Sequence, residues 1–77
     1  MAISIADYAK EGLNRLKSGF PGISLNALNK EDLQYLLNYY STKGFDAKEE
    51  KVISREGVGI IYPITVFHKM PLEVNHA

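Results

Sequence analysis

The side chains in this sequence that suit chemistry are few, and their spacing does not bring them together. The two histidines are His68 and His76. A metal site needs three or four converging ligands at recognisable intervals. These two are far apart in a C-terminal stretch where Glu73 is the nearest acid, and that spacing matches no ligand pattern. His68 reads as the end of a strand and His76 as a solvated terminal residue. There is no cysteine, which excludes disulfides, thiolate zinc sites and a cysteine nucleophile. Ser4 and Ser24 stand where helix caps are expected and Ser54 in a turn, so no serine is placed as a nucleophile. The acid pair Glu31–Asp32 suits a helix N-terminus, and Glu49–Glu50 suits a charged outer strand. Neither is read as a general acid and base. Gly57–Val58–Gly59 is too short for a phosphate loop and sits between strands. No catalytic, cofactor-binding or metal-ligating residue is assigned, no small-molecule substrate is evident, and the chain is not expected to be an enzyme.

Tyrosine offers a different kind of chemistry. Tyr35, Tyr39 and Tyr40 fall on one segment and Tyr62 on another. Tyrosine is enriched where two proteins meet, because the ring is apolar and the hydroxyl is satisfied at a wet rim. The competing explanation is a core edge where each hydroxyl reaches solvent.

The elements that carry these residues follow from periodicity. Apolar residues Ile5, Tyr8, Ala9, Leu13, Leu16 and Phe20 recur at helical steps, with Ser4 and Asp7 in capping-box spacing. The expected helix spans about 4–19 and ends at Gly19–Pro21–Gly22. Ile3 and Tyr8 are placed for a hydrophobic staple. Gly12 interrupts the helix at a cost of about 1 kcal/mol against alanine. Residues 24–28 read as a short helical turn capped by Ser24, with Ile23, Leu25 and Leu28 tucked into the core. A second helix spans about 29–43, with Asn29 as N-cap, Asp32 in its first turn, and a Leu33, Leu36, Leu37, Tyr40 stripe. Leu28 and Leu33 repeat the staple, and Gly44 closes the helix in the left-handed region.

From residue 46 onward the pattern is a β-hairpin, about 46–53 and 58–68, turning at Ser54–Gly57 with Gly57 left-handed. The expected register pairs Asp46 with Val66 and Ile53 with Gly59. Its first strand, with Lys48, Glu49, Glu50 and Lys51, is charged and resists edge pairing. Its second strand is apolar on both faces, and Pro63 marks an edge position or a bulge. The fold class is α+β: two main helices packed on this hairpin, which a third strand from the tail or a partner chain can extend. One domain covers 1–70, and 71–77 form an arm or a frayed tail.

Seventy-seven residues form a small domain, and small domains often lean on disulfides, metals or oligomerisation. The apolar fraction of 45% is that of a folded protein rather than a disordered one. Nine basic and nine acidic residues cancel and are interspersed, which lowers the case for nucleic acid. The N-terminus has no signal-peptide pattern and no apolar run is long enough to span a bilayer, so no membrane role and a cytoplasmic location are expected. The function expected is a small non-enzymatic protein-interaction module that self-associates, with a dimer favoured. Its composition suits a phage-encoded or other accessory protein that binds a larger partner. The candidate interface is Tyr35, Tyr39, Ile61, Tyr62, Thr65 and Phe67. The alternative is a winged-helix-like nucleic-acid binder, with the second main helix as recognition helix and Lys30, Lys43 and Arg55 as its contacts.

Overall fold

The structure is a computed structural model and describes residues 4–69. Two helices cover one face of a single antiparallel sheet system, in the order α1 (Ile5–Lys17), β1 (Gly22–Ala27), α2 (Lys30–Thr42), β2 (Phe45–Glu49), β3 (Ile53–Arg55) and β4 (Gly59–His68). The α+β class is as expected. Strand order is β1-β4-β2, with β3 also pairing with β4.

Both helices start and stop where their capping residues dictate. Ser4 Oγ accepts the Asp7 N–H at 3.1 Å, and Asn29 Oδ1 accepts the Asp32 N–H at 2.8 Å. Each bond satisfies an N–H that the first helical turn leaves without a partner. After α1, the Gly19 N–H donates to the Leu16 carbonyl and the Phe20 N–H to the Arg15 carbonyl, both at 3.2 Å, with Gly19 at positive φ. This is the Schellman arrangement. Gly44 closes α2 at φ 89°, as expected of a glycine in that place.

The segment expected as a helical turn near 24–28 is instead the edge strand β1. Ile23, Leu25 and Ala27 alternate inward and Ser24 and Asn26 outward, a two-residue period. This strand supplies the third member of the sheet, which had been expected from the tail or a partner. Two apolar residues next to these elements are not in the core. Leu28 is 60% exposed and Phe20 is 49% exposed. The staples expected at Ile3 and Leu28 are therefore not supported at Leu28, and Ile3 lies outside the described residues. So do Glu73, His76 and the whole 71–77 segment.

β4 is the central strand. Ile64 and Val66 are fully buried between β1 and the helices, joined there by Leu16, Leu25, Leu36 and Tyr40. Pro63 is thus not on an edge strand. It sits where the outer strand breaks: β2 ends opposite Ile64, β3 begins opposite Ile61, and between them the Glu50 N–H donates to the Pro63 carbonyl at 2.9 Å. The outer strand advances four residues, Glu49 to Ile53, while β4 advances three, Ile64 to Ile61. One extra residue in the outer strand makes a bulge-like interruption at the position that has no N–H to give. Thr65 Oγ1 braces it by donating to the Glu50 carboxylate at 2.8 Å.

A shifted turn and that interruption together correct the expected register. Asp46 pairs with Phe67 rather than Val66, and Ile53 with Ile61 rather than Gly59. The turn moves by one residue, to Glu56–Val58, with Gly57 at φ 85° and the Val58 N–H donating to the Arg55 carbonyl. A one-residue change of register exchanges the faces of a strand. Ala47, rather than Asp46, therefore stands beside Val66 on the helix side.

Candidate interaction surface

The length of β4 creates the site. β1 pairs with Tyr62–Phe67 and β2 with Ile64–His68. Gly59, Ile60 and Ile61 therefore have only β3 beside them. β3 in turn makes its substantial contacts with β4. The result is a two-stranded arm, residues 52–61, that leaves the helix-covered part of the sheet.

Apart from Ile61, the large apolar side chains of the arm are without cover. Val52 (51%), Ile53 (40%), Val58 (56%) and Ile60 (45%) are the exposed large hydrophobic side chains along it. Isolated exposed hydrophobes are ordinary, but four on ten residues are a concentration: Ile53 shares one face of the ribbon with Ile61, and Ile60 shares the other with Ser54. Charged residues bracket them: Lys51 at the base, Arg55 and Glu56 at the turn.

The expected interface residues fall into separate places. On α2, the Tyr35 and Tyr39 rings stack at 6.0 Å, and the Lys43 ammonium lies 5.3 Å from the Tyr39 ring centre. Tyr39 also meets Tyr40 edge-on at 5.1 Å. Tyr39 packs against the core, while Tyr35 remains exposed. Tyr62 packs against the same core from β4. Strand alternation puts Ile61, Thr65 and Phe67 on the opposite, open face of the sheet. Ile61 is buried all the same, at 7% exposure, and Thr65 and Phe67 are half-buried. The structure does not gather these six residues into one surface. The side chains that reasoning from sequence missed are Val52, Ile53, Val58 and Ile60. Their signal was the even spacing Ile23, Leu25, Ala27: a strand there covers only the C-terminal part of β4 and leaves the rest bare.

The basic residues of the nucleic-acid alternative are also apart. Lys30 and Lys43 bound opposite ends of α2, about 20 Å of helix, and Arg55 is on the arm. The short helix that a winged-helix order requires before the recognition helix is the strand β1.

Elsewhere, a cleft of about 330 Å³ lies between the starts of α1 and α2, lined by Ile5, Tyr8, Asn26, Leu28 and Asp32. Its polar groups are committed to the fold. The Tyr8 hydroxyl accepts the Asn26 N–H at 2.9 Å, and Asp32 is engaged with the Asn29 cap. His68 Nε2 lies 3.1 Å from the Phe20 carbonyl and its ring packs edge-on against Phe45, so it ties the α1–β1 connection to the end of β4. Among the described residues no three His, Cys, Asp or Glu side chains cluster to hold a metal. None of the described helices is long and apolar enough to cross a membrane. Comparison with protein-family models, curated proteins and solved structures finds no match.

Proposed function

We propose that this chain is a small non-enzymatic protein-interaction module whose contact element is the hairpin arm. The observation that carries this reading is the run of uncovered apolar side chains Val52, Ile53, Val58 and Ile60 on a two-stranded projection. The core does not need them, since Ile64, Val66 and the helix stripes close it without the arm. Leaving apolar area in water forgoes about 25 cal/mol for each Å² that a partner would cover. The scattered positions of Lys30, Lys43 and Arg55 give the nucleic-acid alternative no comparable support.

The test is the variant Ile60→Asp in the full chain. Its urea midpoint should match wild type, because the side chain is outside the core. Association should be lost, read as self-association by sedimentation or as retention of a specific protein from the native host's lysate. A wild-type chain that neither self-associates nor retains anything Ile60→Asp fails to retain would remove this reading.

A further inference from the structure

The sheet has two long edges, and they meet the risk of further strand pairing differently. β1 and β2 are the outer members of the order β1-β4-β2. β2 carries Asp46, Lys48 and Glu49, and charge on an edge strand opposes the approach of another strand. β1 has no such protection, because the sequence holds no charged residue from Ser18 to Asn29. In an antiparallel pair, successive residues turn their N–H and C=O alternately toward the partner strand and away from it. Asn26 is one that turns away: its N–H donates to the Tyr8 hydroxyl at 2.9 Å and not to β4. Gly22 and Ser24 therefore turn outward with it, on the side of β1 that no described strand occupies.

We propose that Tyr8 is the guard of this edge, keeping further strands off β1. Its ring packs against the core while its hydroxyl takes the outward N–H of Asn26. A strand adding to β1 has to displace both the bond and the ring end to pass Ser24. At the other end Pro21 has no N–H to offer it. Gly22 and Ser24 alone are then left, which is less than the five or six residues or so of an ordinary strand. Covering an edge with a neighbouring element does the work that charge does on β2. The guard is held by the first turn of α1, where the Tyr8 N–H donates to the Ser4 carbonyl at 2.9 Å and Ser4 caps the helix.

Tyr8→Phe and Tyr8→Leu test this, each in the full chain with Ile60→Asp as the parent, so that the arm does not contribute. Amide hydrogen exchange reads the guard itself. In the parent the Asn26 N–H should show a protection factor roughly tenfold or more above that of the outward Ser24 N–H, and Tyr8→Phe should bring it down to the Ser24 level. Sedimentation velocity reads the consequence, since in a pure solution the strand on offer is that of another copy. Tyr8→Leu keeps an apolar side chain on the core but removes the ring end, and it should associate roughly tenfold more tightly than its parent. Adding Ser24→Lys, a charge on the edge strand, should return association to the parent level. Circular dichroism and urea midpoints show which variants fold; should Tyr8→Leu not fold, hydrogen exchange in Tyr8→Phe decides alone. The proposal is overturned by equal protection of Asn26 and Ser24 in the parent, or by Asn26 protection that survives Tyr8→Phe. A folded Tyr8→Leu that associates no more than its parent overturns it too, as does association indifferent to Ser24→Lys. The arm is judged separately, by Ile60→Asp against the wild-type chain.

Discussion

Gly12 lies in α1 where the Tyr40 hydroxyl arrives from α2. That hydroxyl donates to the Ala9 carbonyl. A Cβ on residue 12 would run into the Tyr40 hydroxyl and come within 2.8 Å of Ile23 Cδ1. The glycine therefore gives up about 1 kcal/mol of helix propensity to let a fully buried tyrosine bridge the two helices. Gly12→Ala should destabilise the chain by about 1–2 kcal/mol despite alanine's higher propensity, because overpacking outweighs the gain. In a Tyr40→Phe background the hydroxyl is gone and the penalty should shrink, a coupling that urea titrations of the two single variants and the double variant would measure. Additive effects would show that the glycine is there for another reason. The same hydroxyl sets a pH dependence. Burial, with a smaller push from Tyr39, raises the Tyr40 pKa to about 12. The unfolded chain releases that proton near pH 10 and the folded chain holds it longer. Its contribution is therefore complete below about pH 10 and is lost as pH rises through about 12. Alkaline stability curves should fall less steeply over that window in Tyr40→Phe.

At the scale of elements, the helices were legible because their signals are local. Caps at Ser4 and Asn29, a stop at Gly19 and a left-handed glycine at 44 act within one turn of the chain they control. Gly44 has open space around it, so replacing it tests backbone conformation alone. Gly44→Val should cost about 1–2 kcal/mol and Gly44→Asn clearly less, since asparagine tolerates positive φ. The sheet was less legible because its signals are remote. Six residues at Gly22–Ala27 fit a capped helical turn as well as a strand when read alone, and the β4 edge forty residues later decides between them. The hairpin register depended on one inserted residue opposite Pro63, which the sequence marks only by the proline itself. The choice of candidate interface followed the same route. With β1 unrecognised, β4 lacked its second neighbouring strand and looked in need of one along its whole length, whereas only Gly59–Ile61 has β3 alone beside it. Ile64→Ala should cost about 2–5 kcal/mol, the range for a fully buried side chain. Ile60→Ala, on the arm, should stay within about 0.5 kcal/mol of wild type at low protein concentration. Equal losses at the two positions would mean that the arm belongs to the core after all.

The whole molecule is longer than its residue number requires. A compact chain of this size has a radius of gyration near 11.5 Å, whereas this one has 14.0 Å and extents of 52 × 24 × 19 Å. β4 contributes much of that length, since ten strand residues span roughly 33 Å and β1 accompanies only six of them. An extended arm exposes apolar surface that a lone small domain would do better to bury, and domains of this size have little stability to spare. A second copy seated on the arm would supply part of that cover, and folding and association would then be linked. Thermal unfolding should then depend on concentration: the midpoint of the wild-type chain should rise as protein is added, while Val58→Asp, with a charge at the arm's turn, should unfold at one temperature throughout. At high dilution the two midpoints should converge, because the arm's exposed side chains add nothing to the core of a single copy. A midpoint that ignores concentration in the wild type would show that the domain stands alone and that the length of β4 serves some other contact.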